Sequence, residues 1–92
     1  MDTRDGRKQR NLEANRLLGR RLASIRMANG ITQGEVAEAM GFGRPLVSKI
    51  DGGTRELSAT EIPAYAAAIG STPRELLEAI VESVAAATPG EG

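Results

Sequence analysis

Residues 32–51 read TQGEVAEAMGFGRPLVSKID, and that stretch alone carries two helix starts and one sharp turn. Thr32-Gln33-Gly34-Glu35 is a capping box: the threonine hydroxyl accepts from the Glu35 amide while the Glu35 carboxylate accepts from the threonine amide. A helix is expected from there to Met40, with Val36, Ala37 and Met40 on its buried stripe. Gly41 supplies a left-handed residue that turns the chain into Phe42-Gly43. Gly43 is an acceptable N-cap, and Pro45 falls in the next first turn, where a missing amide hydrogen costs nothing. The second helix is therefore expected over Arg44 to Asp51, with Val47 and Ile50 inward and Gly52-Gly53 as its end. Two short helices joined this tightly need a small residue where they cross and a glycine where the chain reverses, and Ala37 and Gly41 meet those needs.

Working outward, Leu18, Leu22 and Ile25 stand at i, i+4 and i+7 and give a first helix that begins near Asn11 and stops at Asn29-Gly30. Residues 1–10 are polar, contain Gly6 and lack periodicity, which reads as a flexible basic N-terminal arm. Thr54 to Leu57 form a connecting loop, after which either Ser58 or Thr60 can cap a fourth helix. Pro63 favours Thr60, because proline deep inside a helix costs roughly 3 kcal/mol. Ile62, Tyr65, Ala66 and Ile69 make its inner face, and Gly70 closes it. Thr72-Pro73-Arg74-Glu75 then starts a fifth helix that runs to about Ala87. Its stripe of Leu76, Leu77, Ile80, Val81 and Val84 is longer than the core of a small bundle needs. The fold class is all-α, a compact five-helix domain over 11–87, with 88–92 as a frayed tail.

Composition agrees. A chain of 92 residues holds one core, and 40% hydrophobic residues with only Phe42 and Tyr65 as aromatics suit packed helices better than a sheet. Without Cys or His there is no disulfide, no thiolate site and no imidazole, so zinc and imidazole chemistry are excluded and no cofactor or metal is expected. No apolar run approaches the roughly 20 residues that cross a bilayer, and the N-terminus is no signal peptide, which leaves a cytoplasmic location as the expectation. The net charge is zero, yet its distribution is lopsided. Residues 1–26 carry Arg4, Arg7, Lys8, Arg10, Arg16, Arg20, Arg21 and Arg26 against Asp2, Asp5 and Glu13, whereas the remainder is acidic. Such a front is either a solvated arm or a footprint for phosphates that ignores base sequence.

The ordered set of a leucine-and-arginine first helix, Ile31-Thr32-Gln33, Val36-Ala37, Met40-Gly41, Val47-Ser48-Lys49-Ile50, Asp51-Gly52-Gly53, Tyr65-Ala66 and Ile69-Gly70 resembles the XRE family. These are phage lambda repressor- and Cro-like helix-turn-helix proteins, and the likeness spans roughly Leu17 to Leu77. It implies a lambda-repressor-like fold in which residues 32–51 bind double-stranded DNA, the second helix of the pair entering the major groove.

Residue by residue, Gln33 is similar to the family's glutamine that contacts a phosphate or supports a base-reading side chain; the alternative is an exposed helix former. Arg44 lies in the first turn of the reading helix, where a guanidinium bonds O6 and N7 of guanine or else clamps a phosphate. Pro45 and Leu46 depart from the family's small polar residues and leave apolar contact with a thymine methyl. Ser48 is a base or phosphate contact, and Lys49 and Arg55 reach phosphate or are ordinary solvated charges. Asp51 stands where the family has glutamate; an acid at a helix C-terminus needs a partner, and Arg26 is the expected one.

The resemblance implies a transcriptional repressor that acts as a homodimer on a palindromic operator, with Leu77, Ile80, Val81 and Val84 as the dimer surface. The alternative is an antitoxin or other interaction module whose fifth helix meets a protein partner, a toxin or regulator, with DNA binding serving autoregulation. Catalysis is not expected. Ser48 and Lys49 are adjacent and diverge on a helix, Gly41-Phe42-Gly43 does not extend to a dinucleotide fingerprint, and no self-cleaving C-terminal domain is expected. Residue usage points to a bacterial or phage source.

Overall fold

Both strong start signals are used as the sequence writes them. Glu35 N donates to Thr32 Oγ1 at 3.1 Å and Thr32 N to Glu35 Oε1 at 2.8 Å, and Glu75 N donates to Thr72 Oγ1 at 3.1 Å. Gly41 closes the first of these helices at φ 72°, so the turn into Gly43 takes the left-handed conformation a side chain resists. In the computed structural model, which describes residues 3–88, the element order is α1 (Thr3–Ala28), α2 (Gln33–Met40), α3 (Arg44–Asp51), a 3-10 turn (Ala59–Glu61), α4 (Ile62–Ala68) and α5 (Pro73–Ala87).

Leu22, Val36, Ala37, Val47, Ile50, Tyr65, Ala66, Ile69 and Leu76 form the buried cluster, contributed by all five helices. Full burial of a Leu, Ile or Val side chain contributes roughly 1.5–3 kcal/mol, and that is what holds helices of seven or eight residues that would not persist alone. The α2–α3 pair rests on α1 and α4, and α5 lies along α1. Asn29 ties the end of α1 to the end of α4 by donating to the carbonyls of Ile69 and Gly70 at 2.9 and 3.1 Å.

Glycine sets how closely α1 and α3 approach. A Cβ on Gly19 would meet the Asp51 carbonyl oxygen and stand 2.6 Å from that of Ile50, so the middle of α1 receives the last carbonyls of α3 backbone to backbone. Gly53 returns the contact at φ 79°, where a Cβ would lie 2.6 Å from Arg16 Cα.

Two expectations are corrected. Residues 3–10 are not irregular: α1 starts at Thr3, not near Asn11. Arg4, Arg7, Lys8, Gln9 and Arg10 are good helix formers, and extending a helix already nucleated by packing requires no new nucleus, which outweighs the roughly 1 kcal/mol of Gly6. The fourth helix is entered from Ser58 rather than Thr60: Ser58 N donates to Glu61 Oε1 at 2.9 Å in a second capping box. A 3-10 turn fits between that cap and Pro63, so the earlier cap and the proline are both accommodated. Residues 89–92, most of the expected tail, lie outside the described residues, as do Met1 and Asp2 of the expected arm.

Candidate nucleic-acid interface

Helix α3 divides cleanly. Val47 and Ile50 are buried and Leu46 and Asp51 half-buried, whereas Arg44, Pro45, Ser48 and Lys49 are exposed. At about 100° per residue those four cover one continuous strip. The strip therefore offers a guanidinium, an ammonium and a hydroxyl, with the pyrrolidine ring between them and Leu46 on its flank. Among the described residues neither Arg44 nor Lys49 has a salt-bridge partner. α3 has no acid in its first turn, and its cap, Gly43, puts no side chain over the first amides. The exposed strip of α3 thus presents two uncommitted cations on a rigid element, with no carboxylate of its own.

The other end of α3 is a buried polar knot. Arg26 Nη2 donates to Asp51 Oδ2 at 3.1 Å, with the two side chains only 10% and 13% exposed, and Arg26 Nη1 donates to the Ile31 carbonyl at 2.9 Å. The pairing expected from the acid at a helix C-terminus is therefore present. Gln33 Nε2 adds a second donor to Asp51 Oδ2 at 2.9 Å, which joins the start of α2 to the end of α3. Tyr65 is fully buried near this charge; burial first, then the Asp51 carboxylate, push its hydroxyl up to about 12. Tyr65 Oη, Asp51 Oδ1 and Arg26 Nε have no hydrogen-bond partner among the described residues, so the knot is only partly satisfied.

Arg55 is engaged within the protein. Its guanidinium pairs with Glu61 through both oxygens at 2.7 and 3.0 Å, donates to the Glu56 carbonyl at 2.8 Å and lies 5.0 Å from the centre of the Phe42 ring. These bonds engage both terminal nitrogens. The Arg55 hydrogen bond, with the Ser58 amide second, holds the Glu61 carboxyl down at about 2. Glu61 thus serves as the N3 acid of a capping box and the partner of Arg55 at once. This cation braces the loop that leaves α3, and its spacing of six residues from Glu61 gives no helical signal that sequence reading could use.

The apolar excess of α5 also separates into two faces. Leu76, Ala79 and Ser83 are buried and Ile80 packs against the core, at the i, i+3, i+4 and i+7 positions that face α1 and α4. Ile80 therefore packs toward the core, unlike Leu77, Val81 and Val84. Leu77, Val81 and Val84, 50%, 66% and 51% exposed, form a second strip flanked by Arg74, Glu78 and Glu82. Sequence reading missed Ala79 and Ser83, whose small side chains let the helices approach, and it missed Phe42 as the seat of Arg55.

The model of a family described as a helix-turn-helix domain matches residues 17–80. Among solved structures the chain is similar to the restriction-modification controller protein C.AhdI from Aeromonas hydrophila, with 34% identity and a TM-score of 0.61 over 66% of this chain and 92% of that one. It is also similar to the clp gene regulator ClgR from C. glutamicum, with 27% identity and a TM-score of 0.66 over 76% of this chain and 91% of that one. No curated protein sequence matches it.

Proposed function

The chain belongs to the helix-turn-helix domain family, and from that premise we propose that it is a transcriptional repressor that binds a palindromic operator as a homodimer. The observation that carries the reading is the α3 strip, whose two cations are exposed and have no salt-bridge partner among the described residues, while Arg26 and Arg55 are committed internally. Arg44 reads a guanine through O6 and N7, Lys49 meets a phosphate as a point charge, and Ser48 adds a polar contact. Pro45, with Leu46 beside it, packs against a thymine methyl. Gln33 contacts the backbone where α2 begins, and Arg55 drops out of the contact set.

The Leu77, Val81 and Val84 strip supports the dimer. A two-fold axis across it pairs like with like, and half-sites about one helical turn apart are the expected target of such a dimer. Both similar solved proteins are regulators by description, which favours control of transcription over catalysis.

Selection from random duplexes tests the proposal. A two-fold symmetric site should emerge, and Arg44→Ala should relax preference at one or two positions of each half. Enrichment of no sequence overturns it. Val81→Glu should give a folded monomer with weakened operator binding; an unchanged dimer would move the interface elsewhere.

A further inference from the structure

Gln33 opens α2, and its side-chain nitrogen donates to Asp51 Oδ2, the oxygen that also accepts from Arg26. Arg26 is itself fixed by the Ile31 carbonyl, two residues before Gln33. The acceptor that holds Gln33 is thus set in place from α1 and α3 together. A primary amide carries two donor hydrogens and one carbonyl oxygen. Asp51 takes one hydrogen; the second and the oxygen have no protein partner among the described residues. A long side chain ordinarily loses rotamer freedom when a ligand orders it, and a fixed acceptor removes that loss before the ligand arrives.

On the reading of the α2–α3 pair as a DNA interface, we infer that Asp51 is a positioning residue for the DNA backbone: it holds the Gln33 amide so that its remaining N–H donates to a phosphate oxygen at the start of α2. A carboxylate near phosphates is otherwise unfavourable, so simple electrostatics and positioning give opposite signs when its charge is removed. Because one oxygen takes both donors, Asp51→Asn can keep them; in Asp51→Ala no acceptor remains, and Gln33 is released to rotate.

The test measures operator affinity across a series of salt concentrations for the wild-type chain, Gln33→Ala, Asp51→Ala and the double variant. Each single change should weaken binding about ten-fold, the size of one hydrogen bond to a charged group. The double should be no weaker than the weaker single, because both remove one contact. Gln33→Ala should leave the salt slope unchanged, since a neutral side chain releases no counterion. Tighter binding by Asp51→Ala, or effects that multiply, would overturn the inference while the DNA reading stands. A wild-type chain with no affinity for DNA overturns both. The wild-type protein gives a second measurement that survives any failure of the variant to fold. Without DNA, the Gln33 side-chain amide protons should be protected from exchange beyond those of exposed Gln9, and equal exchange overturns the inference.

Discussion

The exposed strip of α3 and its buried C-terminal end share one helix of eight residues and are built on opposite rules. Along its exposed strip, from Arg44 in the first turn to Lys49 in the last, the two cations stand in solvent with no salt-bridge partner among the described residues, and the cap is a bare glycine. At its end Asp51 is clasped by Arg26 and Gln33, and the last carbonyls press on Gly19. The difference shows how one short helix is made both rigid and available. Orientation is fixed where the helix is buried, so the exposed strip can leave its chemistry unspent. It also shows which cations a partner can use: an arginine is available only where the fold supplies it no carboxylate.

The harshest way to break the locked end is Asp51→Ala, which leaves the Arg26 charge buried without its partner. Stability should fall by about 3–5 kcal/mol in denaturant unfolding, whereas Arg44→Ala on the exposed strip should stay within about 0.5 kcal/mol of wild type. Comparable losses would mean that strip and end do not differ.

Next in size, Gly53→Ala meets a left-handed φ and the Arg16 backbone together, whereas Gly41→Ala meets a left-handed φ with open space beyond. The first should cost about 3 kcal/mol and the second nearer 1 kcal/mol. Equal costs would remove the close approach of α3's end to α1 from the account.

Smaller again is the Arg55–Glu61 pair, partly exposed and therefore worth about 1 kcal/mol. The folded-state pKa of Glu61 is depressed from 4.5 to about 2. Its stabilisation is thus complete above about 4.5 and is lost as pH falls toward 2. Glu61→Gln should flatten that stretch of the stability profile, and an unchanged acid limb would show that the pair contributes nothing.

What could be read in advance follows the range of each interaction. The helix starts at Thr32 and Thr72, the turn at Gly41 and the stripe of α2 rest on residues within four positions of each other, so local chemistry states them outright. Choosing between Ser58 and Thr60 failed because a 3-10 turn lets an early cap coexist with Pro63. Arg55 gave no warning of Glu61, since a loop brings them together, and Gly19 looked like an ordinary helix residue until the carbonyls of α3 arrived against it. The five-residue apolar stripe of α5 announced two faces without saying where Ile80 belonged; the packing of α1 decided that. Arg26 with Asp51 was the long-range pair that physics could name beforehand, because an acid at a helix C-terminus demands a cation.

The central claim, that the exposed strip of α3 is where DNA is held, is tested most directly by the salt dependence of operator affinity. The logarithm of affinity should fall steeply with the logarithm of salt, and the slope should lessen by about 0.9 in Lys49→Ala while Arg55→Ala leaves it unchanged. A flat wild-type response, or a slope that Arg55→Ala reduces and Lys49→Ala does not, would contradict it.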